Sequence, residues 1–224
     1  MSHYPAPPRT RHHAFTLIEA LSIVAVVACL VLLVYPSIQR KRDNQAHFTC
    51  ASNLKQTALG FALYVQDNAQ KFPPVQVNSS HFSVVPPYMA AYGWADALQD
   101  YLHSTVVYHC PLTGSPVGTN PAAPNFTDYY YNSRLATINE GELNHPDQTV
   151  LLGNGNDGHD LTDARYSKAS LPPAWIKDES SPAWRHSNRF SSFGLYAFVG
   201  GRVGSSVPPS PKLLPNQDAT FAIK

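Results

Sequence analysis

The sequence predicts an α+β fold: one long N-terminal helix, apolar then amphipathic, packed on a small antiparallel β-sheet with loop-rich insertions. Three observations predict it. Phe15–Tyr35 is a 21-residue apolar run with one charge, Glu19. An apolar stripe of helical period follows at Cys50, Leu54, Ala58, Phe61 and Val65. Beyond Phe72 the pattern breaks into short apolar and aromatic runs divided by Gly, Pro and Asn.

Composition narrows the class. Of 224 residues, 43% are hydrophobic, which excludes wholesale disorder. Only 14% are charged and 20 are Pro, which favours a loop-rich domain over a helical bundle. The formal net charge of +1 supplies no footprint for nucleic acid, so none is expected as a partner. The 10 His are scattered and suggest no pH switch. Three Cys are too few for a disulfide scaffold, and no zinc-type spacing is present.

The first element is a membrane span. A spanning helix needs about 20 apolar residues, more than the core of a cleaved secretory signal. Glu19 is its odd residue, because a carboxylate in the apolar zone is costly and marks a functional position unless it reaches the head groups. Charge does not settle orientation: Arg9 and Arg11 precede the run, and Arg40, Lys41 and Arg42 follow it. Those three cations are read as a solvated or head-group-contacting run.

The second element continues the helix to about Asn68, bent near Pro36, until Phe72-Pro73-Pro74 ends it. A short helix is expected over Trp94–Leu102, and strands over Val106–Cys110, Asp128–Asn132 and Gln148–Leu152. Leu171–Pro182 reads as irregular. Phe193–Val199 and Arg202–Val207 flank Gly200-Gly201, a hairpin signal. Residues 208–224 read as a Pro-rich, extended tail.

The segment AFTLIEA at 14–20 resembles the prepilin cleavage and methylation signature of type IV pilins and type II secretion pseudopilins. In that family a leader is cut before a Phe that becomes N-methylated, and a Glu stands fifth. Phe15 is then first, Glu19 fifth and Pro36 twenty-second, where these proteins often carry a helix-bending Pro. Ala14 stands where the family prefers Gly. The resemblance implies a pilin-like fold, cleavage between Ala14 and Phe15, N-methylation of Phe15, and assembly through Glu19 and Pro36. It also implies a domain order: leader 1–14, transmembrane helix 15–36, amphipathic continuation 37–70, globular periplasmic domain 71–207 and tail 208–224. Further stretches are similar to filament proteins named for a C-terminal His followed by Asp-Gly. These are CASNLKQTALGFALYVQDN at 50–68, HCPLTG at 109–114, YYYNSRLA at 129–136, HPDQTVLLGN at 145–154 and WRHSN at 184–188. Here Val199-Gly200-Gly201 replaces that Asp-Gly.

The exported part would hold two Cys in a compartment that permits disulfides. A Cys50–Cys110 bridge is therefore expected, with two buried free thiols as the alternative. Cys29 lies inside the span. Asn154, Asn156, Asp157, Asp160 and Asp163 carry the oxygen ligands of a calcium site, although turns need the same residues and the EF-hand frame does not fit. Otherwise no cofactor or metal is expected. His81, His103, His109 and Cys110 share no ligand spacing. No GxSxG, HExxH, P-loop or GxGxxG motif occurs, and His186 beside Ser187 is only a sequence neighbour.

The sequence thus reads as a non-enzymatic structural subunit of a type IV pilus-like or type II secretion filament. Its expected partners are other pilin subunits, a prepilin peptidase and the inner-membrane assembly machinery. Its expected location is the bacterial inner membrane, single-pass, with the C-terminal domain in the periplasm or in a surface filament. The alternatives are a tip-located adhesin, with Tyr129–Tyr131 offered to a ligand, and a membrane-anchored enzyme.

Overall fold

The computed structural model describes residues 16–76, 91–178, 180–187, 191–206, 212–213, 217–218 and 220–223. Helix α1 spans Leu17–Asp67. The chain divides into two compact units, one ending at Arg42 and the other beginning at Asp43.

In the first unit Leu17–Tyr35 is 19 residues of mean hydropathy 2.9 with none of it buried. That stretch is long and apolar enough to cross a membrane.

In the second unit the helical stripe is the core seam. Cys50, Leu54, Ala58, Phe61 and Val65 are all buried, as their spacing predicts. Asn68 still closes a helical bond to the Tyr64 carbonyl, and then Ala69 and Gln70 turn left-handed at φ 55° and 60°. The helix therefore stops before Phe72-Pro73-Pro74; the reversal, not the prolines, ends it. After it come two short helical turns, α2 (Trp94–Ala97) and α3 (Gln99–Leu102), within the one helix expected.

The strands are β1 (Tyr129–Asn132), β2 (Val150–Asn154), β3 (Ser167–Lys168), β4 (His186–Ser187), β5 (Ser192–Phe198) and β6 (Val203–Ser206). The sheet runs β3-β1-β2-β5-β4, with β6 on the other edge of β5. The expected antiparallel sheet is in fact mixed: β1 and β3 pair in parallel, Tyr131 against Ser167, while the other pairs are antiparallel. The fold is α+β, as the sequence predicts.

Alternation along the strands builds two cores. Tyr129 and Tyr131 of β1, and Phe193, Leu195 and Ala197 of β5, face the core that α1 fills. Tyr130, Tyr196 and Phe198 face a second core with Trp175 and Trp184. In β2 the register shifts between Val150 and Leu152, so Leu151 and Leu152 both join the helix-side core while Val150 joins the other. Such a shift is a β-bulge. Gly153 lies where a Cβ would run into the rings of Tyr130 and Tyr196, so no larger residue fits there.

The β5–β6 hairpin closes through Gly201 at φ 78°, with Phe198 N–H donating to Arg202 O at 2.8 Å. Three expectations are corrected. Val106–Tyr108 is a 3-10 turn and not a strand. Leu171–Pro182 contains a helix, α4 (Pro173–Lys177), which buries Trp175. The tail is docked: β7 (Lys212–Leu213) pairs with β8 (Gln217–Asp218), and Thr220 bridges to Thr149. Val150 N–H donates to Thr220 O at 2.8 Å, and Phe221 stacks on Tyr130 with centroids 6.0 Å apart. Phe221 packs partly buried against the second core, which holds residues 220–223 to the domain.

Candidate functional site

Of the N-terminal motif, Ala14 and Phe15 lie outside the described residues. Glu19 does not stand alone. Thr16 N–H donates to Glu19 Oε2 at 3.3 Å, Thr16 Oγ1 donates to the same oxygen at 3.1 Å, and Glu19 N–H donates back to Thr16 Oγ1 at 3.4 Å. This is a capping box, in which Thr at the cap and Glu three residues on satisfy each other's free N–H groups. The Thr-x-x-Glu spacing was the sequence signal for it. Pro36 lies within the helical run of α1, which continues beyond it.

Cys50 and Cys110 meet. Cys50 comes from α1 and is fully buried; Cys110 follows the 3-10 turn and is 1% exposed. Side chains of α1 explain the meeting. Asn53 Nδ2 donates to His109 O at 2.8 Å and Thr57 Oγ1 to Val107 O at 3.3 Å. These bonds use the carbonyls of the 106–109 segment, and His109 N–H returns to Val106 O. A β-branched segment that would read as a strand is thereby clamped to the helix as a turn. The expected Cys50–Cys110 bridge is not formed, and Cys29, Cys50 and Cys110 are all free thiols.

A third group joins them that the sequence reading left aside. His186 on β4 pairs with Phe193 of β5 and stacks on its ring, fully buried. Its Nε2 lies 3.8 Å from Cys110 Sγ. On the other side Cys50 Sγ contacts the Tyr129 hydroxyl at 3.2 Å and Asn154 Oδ1 at 3.6 Å. The Cys50 thiol and then the His186 ring favour the Cys110 thiolate and hold its pKa below the ordinary thiol value, against burial. Burial pushes the Cys50 thiol well up.

Asp128 fixes this corner. It is fully buried, and its Oδ2 accepts from Cys110 N–H at 2.9 Å and Thr113 Oγ1 at 2.8 Å. Its Oδ1 accepts from Asn156 Nδ2 at 2.8 Å, and His109 Nδ1 lies 3.4 Å from Oδ2. Burial alone would raise its pKa, but His109, Asn156, Thr113 and the Cys110 N–H together lower it. No motif in the sequence marks Asp128.

The calcium set does not converge. Asn154 points at Cys50, and Asn156 is held by Asp128. Asp157 accepts from the backbone N–H of His159. Asp160 is paired with Lys168 at 2.7 Å, and Asp163 with Arg165 at 2.6 Å. The residues serve turns and ion pairs, and their lone pairs are committed to separate partners. Of the residues without ligand spacing, His109 sits against Asp128, His103 ends α3 at φ 53°, and His81 lies outside the described residues. Tyr129, Tyr130 and Tyr131 are fully buried strand residues, so they offer no surface to a ligand.

No protein-family model, curated protein or solved structure matches the chain.

Proposed function

We propose that this chain is a structural subunit of a type IV pilus-like or type II secretion filament, assembled through its N-terminal helix. The observation that carries the reading is the exposed apolar helix Leu17–Tyr35, opened by the Thr16–Glu19 box and followed by an α+β domain with its own core. A helix apolar all round needs lipid or other helices about it. In a filament core it exchanges one for the other. The second-unit part of α1 also leaves Phe48, Leu59 and Leu63 exposed, which supports packing against neighbouring subunits. The resemblance of residues 14–20 to the prepilin signature supplies the rest: a peptidase that cuts before Phe15, methylation of its amine, and a periplasmic domain held by a single span. The role is structural and not catalytic.

The test is N-terminal sequencing of the membrane-extracted protein expressed with a prepilin peptidase, joined to sedimentation of sheared filaments. A mature chain beginning at methylated Phe15 and sedimenting with filaments is expected. A chain that retains Met1, or one cut after the apolar run, overturns the proposal.

A further inference from the structure

We infer that Cys50, Cys110 and His186 form a buried binding site for a thiophilic divalent cation, best matched by Zn2+. The inference stands on the second unit alone and is independent of the filament reading.

Three donors from three elements remote in sequence converge. Their ligand atoms, two Sγ and one ring nitrogen, all lie within 4.8 Å of one another, and all three residues are buried. A tetrahedral Zn2+ with bonds of about 2.3 Å to sulfur and about 2.05 Å to nitrogen sets its ligands about 3.6–3.8 Å apart. Cys110 Sγ and His186 Nε2 already stand 3.8 Å apart. Drawing in the remaining separations asks for about 1 Å at most, within the reach of side-chain rotation.

Charge selects the ion. Two thiolates and a neutral imidazole leave a divalent cation with no net charge, and a neutral buried centre avoids the cost of an isolated charge. A monovalent soft cation on the same ligands would leave one negative charge in the core. One further observation fits: buried polar atoms at the site lack hydrogen-bond partners, namely His186 Nδ1 and Asn154 Nδ2. Among the described residues, five more such atoms lie on His47, His109, Tyr130 and Tyr196, and each leaves a place for a water or an ion. The Tyr129 hydroxyl and Asn154 Oδ1 border Cys50 Sγ at 3.2 and 3.6 Å, and the fourth position would fall to one of these oxygens or to water. Such a centre would tie α1, the segment after the 3-10 turn and β4 together.

The test uses the full chain in detergent, reduced and stripped with a chelator. Zn2+ is titrated against a chromophoric chelator, and Co2+ serves as its spectroscopic stand-in. One Zn2+ per chain, a raised thermal transition and thiolate-to-cobalt charge-transfer bands are expected. Changes outside a metal's direct ligands cost about 10–100-fold in affinity, so Cys50→Ser, Cys110→Ser and His186→Gln should each cost more than about tenfold. Cys29→Ser should cost nothing. The wild-type titration needs no variant to fold. A folded, reduced wild-type chain that takes up no Zn2+ overturns the inference. So does His186→Gln binding at wild-type strength. A chain isolated with a Cys50–Cys110 disulfide that ignores Zn2+ after reduction overturns it as well, and establishes the bridge instead.

Discussion

Residues 17–35 and 50–65 of α1 are both rich in large apolar side chains, yet they meet opposite fates. In the first stretch Leu17, Leu30, Leu32 and Leu33 are more than half exposed. In the second, Leu54 is fully buried and Phe61 is 1% exposed. The difference lies in pattern. Apolar residues on every side cannot be covered by one neighbouring layer, whereas a stripe at steps of three and four can. The packed stretch has a further hold: Asn53 and Thr57 donate from the same helix to the segment that carries Cys110. Hydrophobicity alone therefore does not say where a helix packs; its period and the polar groups beside the stripe do.

The contrast breaks first at Phe61. Its ring lies 5.4 Å from Trp94 and 5.0 Å from Tyr131, centroid to centroid. Phe61→Ala should cost about 3–5 kcal/mol of domain stability in denaturant unfolding. Leu30→Ala removes an apolar side chain of the exposed stretch and should move the same transition by less than about 0.5 kcal/mol. Equal losses would mean that both stretches are packed alike.

A smaller effect is expected at Asp128. Asp128→Asn should cost about 2–3 kcal/mol, because it weakens charge-assisted hydrogen bonds to buried donors. The pH dependence has a definite sign. A folded pKa below the ordinary carboxylate value gives stability that is present above that ordinary value and is lost as pH falls through the lower, folded one. Wild-type unfolding followed into acid should show that loss, and the Asn variant should show a flatter acid limb. Identical acid limbs would remove Asp128 from the account.

Much of this was legible in the residues. The stripe, the aromatic strand at Tyr129–Asn132 and the hairpin at Gly200-Gly201 follow from period and turn chemistry. Val106–Tyr108 was not legible, because its β-branched residues favour a strand until side chains of a distant helix occupy its carbonyls. The parallel partner β3 has two residues and no periodicity to read. For the candidate site, the meeting of Cys50 and Cys110 was legible from their number, and Glu19 from its place in an apolar run. His186 and Asp128 were not, because the partners that matter are remote: Cys110 is 76 positions from His186, and the partners of Asp128 lie 15 to 28 positions away. The 154–163 segment offered two readings, a calcium site and turns, because the residues that ligate calcium also make turns; the structure uses them in turns and ion pairs.

The smallest effect on folding, and the sharpest use of the contrast, belongs to Glu19. Its carboxylate has two separable uses. One is local: it caps the free N–H of Thr16 at the start of α1. The other is proposed: it meets the amine that cleavage would create at Phe15, within or between subunits. Glu19→Gln keeps a side chain that serves in a capping box but removes the charge, whereas Glu19→Ala removes both. Neither touches the core of the second unit, so both should leave domain unfolding within about 0.5 kcal/mol of wild type. An unpaired ammonium among apolar helices costs several kcal/mol, so loss of charge alone should exclude a subunit from filaments. Both variants should therefore be inserted, folded and absent from sedimented filaments. If Glu19→Gln sediments at wild-type levels while Glu19→Ala does not, the cap accounts for the residue and the charge pairing is wrong. If both sediment normally, Glu19 has no part in assembly.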